Sequence, residues 1–443
     1  MPASPPSILW IITTQWRAQA TGYAGDPNAR TPHLDALAAE SLAYSQAVTP
    51  HPFGPFARAA LLTGVPSPEN GVREYHDPLP RETRTVAHRL GARGYATAFF
   101  GKWHLYRRDL AAPLVGEAQA KIEVPPEWRG GFECWEGFEG GFLLNDPWLH
   151  GTRLREPVQF SGYQSDVICE RAADWIIRAA KPKPEAGGRE EGSAQTSRSP
   201  ASRRTDSRRP WFCVVSLEPP HPPYAASAAG VMARDPRGIL LAPNVPRGGE
   251  AEATARRELA GYYAHLEATD RAIGRMLARL PAANTVVVVT SVHGDMHGAH
   301  GLFRKGWPHE ESIRVPLLVR GAHQGDDGSW VLASGSGRRS DELVSLLDLP
   351  RWAEEWAGAS DRDFRGPRPR AEVQRISMPC VVRLPQQCDR VWRGVRTSAR
   401  KLVVNEGGVP WLHFDLKHDP WEKHNLAGGE VHTAEVAALQ RWL

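Results

Sequence analysis

Four consecutive valines, residues 286–289, are the strongest hydrophobic signal in the chain. A run that is apolar on both faces suits a strand inside a parallel sheet, where helices cover it above and below. Residues 7–14 (SILWIITT), 96–100 (ATAFF), 211–217 (WFCVVSL) and 313–319 (IRVPLLV) share this short, unbroken apolarity and are predicted strands. Between them the period changes. Thr31-Pro32 followed by Leu34, Leu37 and Ala38 predicts a helix with Thr31 as cap and proline in its first turn. Helices are also predicted over 55–62, with Gly54 near the cap and Gly64 as the stop, and over 85–90. Others are expected from Ser165, as cap, to about residue 180, over 250–280 and over 341–349. Residues 128–148, rich in tryptophan and glycine, predict a surface excursion of the kind that shapes a cleft. Beyond residue 372 the runs VWRGVRT, KLVVN and WLHFDL predict antiparallel strands.

This order of elements predicts an α/β fold: a large mixed, mostly parallel sheet sandwiched by helices, with a smaller C-terminal α+β subdomain. The predicted domains are 1–371 and 372–443. The first is interrupted by residues 181–210, which almost lack bulky apolar side chains and are expected to be disordered. A net charge of +4 over 443 residues makes no case for a nucleic-acid partner. Five cysteines, odd in number and without a C-x-x-C pair, predict reduced thiols. The apolar stretch 8–12 has no basic flank and is too short for a signal segment or a membrane span. A soluble cytoplasmic protein without a membrane partner is expected.

Candidate chemistry follows the strands, because ligands in open α/β sheets bind outside the strands' carboxyl ends. Four predicted strands lead to polar groups: Thr14 and Gln15, Lys102 and His104, His221, and His293 after Val292. Lysine, arginine and histidine at such positions suit a tetrahedral oxyanion. His297 and His300 are read as surface residues of a glycine loop rather than as a transition-metal site with His293.

Several blocks carry a family resemblance. They are SILWIITTQWRA, TPHLDALAAESLAYSQAVT, ARAALLTG, GYATAFFGKWHL, PPHPPY, YYAHLEATDRAIGRML, TVVVVTSVHGDMHGAHGLFRK with EESIRVPLLVRG, and RGVRTSARKLVV with HFDLKHDPWEKHNLA. In this order they resemble the sulfatases of the alkaline phosphatase superfamily over nearly the whole chain. The resemblance implies hydrolysis of sulfate esters by a formylglycine made from Cys or Ser in C/S-x-P-x-R, beside a divalent cation, usually calcium. It also implies roles. Arg58 matches the motif arginine, Lys102 and His104 match G-K-W-H, His221 matches P-H-x-P, and Lys305 matches the lysine after H-G-L.

The chain departs from the pattern where the chemistry is most demanding. Thr14 stands at the first metal carboxylate and Val292 at another, leaving Gln15 and His293 as remnant metal ligands. Gly54, or Phe53 if one residue is inserted, stands at the nucleophile position, and Thr49 is too far upstream to replace it. Calcium takes about six to eight oxygen ligands, so none is expected here beyond weak binding, and no other cofactor is expected. The expected function is therefore a sulfatase-like pseudoenzyme lacking formylglycine- and calcium-dependent activity. It is expected to keep a net positive pocket at Arg58, Lys102 and Lys305 for a sulfate- or phosphate-bearing small molecule or saccharide. Two alternatives stay open. One is an active sulfate or phosphate ester hydrolase that needs no metal, with His104 or His221 assisting water. The other is a non-enzymatic interaction protein using the aromatic block or the arginine-rich insertion.

Overall fold

A computed structural model describes residues 5–181, 209–281, 284–324, 330–332, 337–359, 372–429 and 433–443. Nearly all of the predicted insertion, and the boundary drawn at residue 371, lie outside or at the edge of them. Ten strands form the large sheet among the described residues. In chain order they are β1 (Ser7–Thr13), β2 (Ser41–Val48), β3 (Ala96–Lys102), β4 (Cys134–Phe138) and β5 (Trp148–Gly151). They continue with β6 (Leu154–Gln159), β7 (Trp211–Ser216), β8 (Thr285–Ser291), β9 (Leu317–Arg320) and β10 (Arg338–Ser345). Their spatial order is β10-β2-β9-β8-β1-β7-β3-β4-β5-β6. The centre, β8-β1-β7-β3-β4, is parallel, while β9, β5 and β6 run against their neighbours. The mixed, mostly parallel sheet is thus as expected.

The valine run occupies β8 beside β1, with Val286 opposite Ile8 and Ser291 opposite Thr13. Successive side chains point to opposite faces. Val286 and Val288 join Ile8, Trp10 and Ile12 under α2 (Gly54–Thr63), α3 (Val86–Ala92) and α6 (Leu349–Trp356). Val287 and Val289 join Leu9 and Ile11 under α1 (Pro32–Ala38), α4 (Gln164–Ala179) and α5 (Glu250–Arg279). Each buried valine contributes about 1.5–3 kcal/mol relative to an exposed one. Every residue of α2 is buried, and Gly64, at φ 74°, ends it by donating to the Ala60 carbonyl.

Several predicted elements differ. Thr31 does precede α1, but its hydroxyl accepts from Gly22 N–H and donates to Asp35 instead of capping. Ser165 lies inside the first turn of α4, where its hydroxyl meets Thr269. The strand predicted over 313–319 is β9, shorter because Pro316 offers no N–H to a ladder. Residues 341–349 begin as edge strand β10, parallel to β2, and turn at Ser345 before α6 carries Trp352 and Trp356 inward. The block 128–148 is not all surface, since the five residues of β4 are buried within the sheet.

The C-terminal strands β11 (Gln374–Met378), β12 (Trp392–Arg396), β13 (Arg400–Asn405) and β14 (Pro410–Asp415) form the expected antiparallel sheet. Ile376, Trp392, Val403 and Phe414 extend the same core that holds Val286. A last helix, α7 (Thr433–Gln440), follows. Among the described residues no helix is long and apolar enough to cross a membrane.

Candidate functional site

The carboxyl ends of β1, β3, β7 and β8 converge on one closed, polar site. Arg58, projecting from α2, is its fixed point. Its guanidinium donates to Thr14 Oγ1 (2.8 Å), Ser216 Oγ (2.6 Å) and the Lys102 carbonyl (3.1 Å). Burial lowers its pKa to about 10, against the pull of Glu218 and Glu139. Arg58 therefore ties three strand ends together.

Lys102, at the end of β3, is buried and donates to Glu218 Oε1 at 2.7 Å. Burial pulls its pKa down to about 8, with Glu218 opposing. Phe142 lies 4.5 Å from its ammonium and stacks on His221 at 4.7 Å between centroids. The aromatic block thus supplies a wall of the site. Lys305 donates to Gln15 Oε1 at 2.5 Å and to His221 Nε2 at 3.1 Å. Burial lowers its pKa to about 7 despite Asp295. His104, His221 and His293 are all held well below the ordinary imidazole pKa, by burial first and by neighbouring cations second. They are neutral at physiological pH.

The structure brings together Gln15, Arg58, Lys102, His104, His221, His293 and Lys305, but their charge is not left open as expected. Glu218 answers Lys102, and Glu139 accepts from the Leu105 and Tyr106 N–H groups and lies 3.8 Å from Arg108. Glu218 and Asp295 offset part of the cationic charge, but burial raises the Glu139 pKa to about 8, so the predicted net positive pocket is compensated only in part. Sequence reasoning overlooked all three. Glu218 sits three residues before His221 and Asp295 two after His293, so their loops were a usable signal.

The metal positions do not fit calcium. The Thr14 hydroxyl accepts from Arg58 and donates to the Leu217 carbonyl (2.9 Å), so a neutral group already engaged on both sides stands where the family's carboxylate would be. Gln15, at φ 66°, directs its amide oxygen to Lys305 and its nitrogen to Asp295 and Tyr224. Only this amide orientation satisfies a donor on one side and a carboxylate on the other. Val292 is fully buried and lines a small cavity with Ile12, Trp103 and Val214. His293 contacts the Gly294 carbonyl through Nδ1, and its buried Nε2 has no protein partner. Asp295 is the nearby carboxylate. Burial would raise its pKa, but His297, Arg304 and Tyr224 outweigh that and hold it low. One carboxylate already bound by Gln15, Tyr224 and the His297 N–H is far from a calcium shell.

Of the two residues that the resemblance puts at the nucleophile position, Gly54 is the first of α2 and Phe53 is its cap. A Cβ on Gly54 would lie 2.9 Å from His104 Nδ1 and 3.2 Å from Cε1. His104, at φ 58°, is fixed there because its Nε2 lies 2.8 Å from Arg108 Nη1. The imidazole fills the space a side chain at 54 would enter. His297 also departs from expectation. It is buried against Tyr262, at 4.2 Å between centroids, and is not a surface residue.

These features define an α/β sandwich whose site is assembled from strand ends around an arginine. The chain belongs to the sulfatase family, whose model matches residues 6–359. An ulvan-active sulfatase of Formosa agariphila is 32% identical over 96% of this chain and 77% of its own length. The structure of yidJ from Bacteroides fragilis superposes with a TM-score of 0.77 at 22% identity, covering 100% of this chain and 95% of that one. A structure solved with its substrate D-glucosamine-2-N,6-O-disulfate has a TM-score of 0.73 at 19% identity, covering 99% and 97%. The two structural likenesses concern the fold.

Proposed function

We propose that this sulfatase-family chain does not use the formylglycine and calcium mechanism, and instead binds the sulfate or phosphate group of a saccharide or small molecule. The carrying observation is the His104 imidazole against Gly54, which occupies the room of a nucleophile. The commitments of Thr14, Gln15 and Val292 support the same reading from the metal side. The saccharide class rests on the relative whose name states activity on ulvan. An anion would enter at His221 and Lys305, the more accessible of the site residues, and draw Lys102 from Glu218.

The test pairs two measurements on the full chain. Sulfate and phosphate are expected to raise the melting temperature with EDTA present, and 4-nitrophenyl sulfate is expected to show no turnover. Calcium-dependent turnover that Lys102→Ala abolishes would refute the proposal. A second reading, hydrolysis without metal, is supported by lysines near neutrality beside neutral imidazoles. Turnover that resists EDTA and is lost in His221→Ala would select it. A reducing cytoplasmic location is proposed on the five free, buried cysteines.

A further inference from the structure

A second buried polar cluster lies where the loop after β8 meets the C-terminal sheet, its Glu311 backbone packed on Gly294 of that loop. We propose that His300, Glu311 and Glu422 form a divalent transition-metal site that fastens the C-terminal sheet to the large domain. A nitrogen of His300 and one oxygen from each carboxylate lie within 4.8 Å of one another.

The decisive residue is Glu311, which is 3% exposed. Its Oε1 accepts from Asn244 Nδ2 at 2.7 Å, while its buried Oε2 has no protein partner. Among the described residues no cation stands within ion-pair distance of it. The cations of the cluster converge on Glu310 instead: Arg396 through two hydrogen bonds, Lys401 at 3.0 Å and Arg314 at 3.6 Å. Glu422 shares Lys401 and accepts from the Glu310 N–H at 2.8 Å. A buried carboxylate without a cation is costly unless it is protonated or coordinates a metal.

Asn244 points the same way. Its Nδ2 carries two hydrogens yet has three acceptors in range: His300 Nε2 (3.1 Å), Glu311 Oε1 and the Trp421 carbonyl (3.1 Å). Its own Oδ1 is buried and has no protein partner. A cation taking His300 Nε2 and Glu311 would relieve that excess of acceptors. One imidazole nitrogen with carboxylate oxygens suits zinc or manganese. His300 is partly exposed, which leaves a way in from solvent. His300, read from the sequence as a surface residue, is partly exposed and lies beside buried acceptors, with its ring 4.5 Å from that of His309.

The experiment uses the full chain stripped with EDTA and then given Zn²⁺ or Mn²⁺ alone. One equivalent by elemental analysis and a rise in melting temperature of several degrees are expected. His300→Ala and Glu311→Gln are each expected to fold and to lose both the bound equivalent and the shift. Thr14→Val, at the strand-end site, is expected to retain both. Absence of stoichiometric metal in the parent chain, or metal retained by the His300→Ala, Glu311→Gln double variant, overturns the proposal.

Discussion

Two buried clusters of charge share one hydrophobic core and differ in which sign is left without a close partner. At the strand ends, Arg58, Lys102, Arg108 and Lys305 are set among Glu218, Glu139 and Asp295, and among the described residues Lys305 meets an amide oxygen and an imidazole but no carboxylate at ion-pair distance. Near the C-terminal sheet, three cations crowd on Glu310 while, among the described residues, Glu311 has none. The fold buries either sign provided each ion is matched, and the unmatched group marks the ligand. At the first cluster that group is an ammonium, which points to an anion. At the second it is a carboxylate, which points to a cation.

The sharpest way to break this comparison is to unmatch a pair that is complete. Arg396 is 2% exposed and binds both oxygens of Glu310, together with Gln374 and Gln46. Arg396→Ala leaves Glu310 buried with less than its share of charge and unties β12 from β2. The expected loss is about 3–5 kcal/mol, the range for removing one partner of a buried pair, read by urea unfolding. A loss below about 1 kcal/mol would show that water already solvates Glu310, and the second cluster would no longer count as buried.

A smaller effect is expected at the first cluster. Gly54→Cys places a Cβ against His104, and overpacking of this kind costs about 1–3 kcal/mol. His104→Ala in the same background removes the clash and is expected to recover most of that loss. If Gly54→Cys is neutral, the nucleophile position is open and the proposed reading of the site loses its main support. Restoring the family's nucleophile therefore needs a second change at His104, which the sequence alone did not indicate.

That contrast shows what was legible before the structure. The valine run, the strand-end placement of Lys102, His221 and His293, and the stop at Gly64 follow from local rules of burial and backbone conformation, and each was read from a few adjacent residues. The losses at Thr14 and Val292 were legible because a missing carboxylate is a fact of residue type. The replacements were not. That Thr14 serves Arg58, Gln15 serves Lys305 and His104 fills the place above Gly54 depends on partners 44, 290 and 50 positions away, which no local pattern encodes. Edge strand β10 was misread for a related reason. Half of its residues are exposed and Val344 alone of the strand is buried, so the parallel pairing with β2 that makes it a strand leaves little hydrophobic period to detect.

The mildest test asks whether the unmatched ammonium is what an anion would meet. Lys305 has a folded pKa of about 7 against an ordinary 10.5, because burial disfavours its charge. The unfolded chain therefore holds this proton over a range where the folded protein has released it. The stability linked to Lys305 is fully present above the unfolded value and is lost as pH falls through about 7. Lys305→Met is accordingly expected to gain on the parent chain at pH 6 relative to pH 9. Anion binding runs the other way, since sulfate needs the protonated ammonium. Its affinity is expected to fall roughly tenfold between pH 6 and pH 8, or about 1.4 kcal/mol, in titrations followed by calorimetry. Lys305→Met is expected to bind more weakly at pH 6 and with a flatter profile. A parent chain whose sulfate affinity is constant across that range would remove Lys305 from the anion site, while leaving the unpaired carboxylate of Glu311 as evidence for the cation site alone.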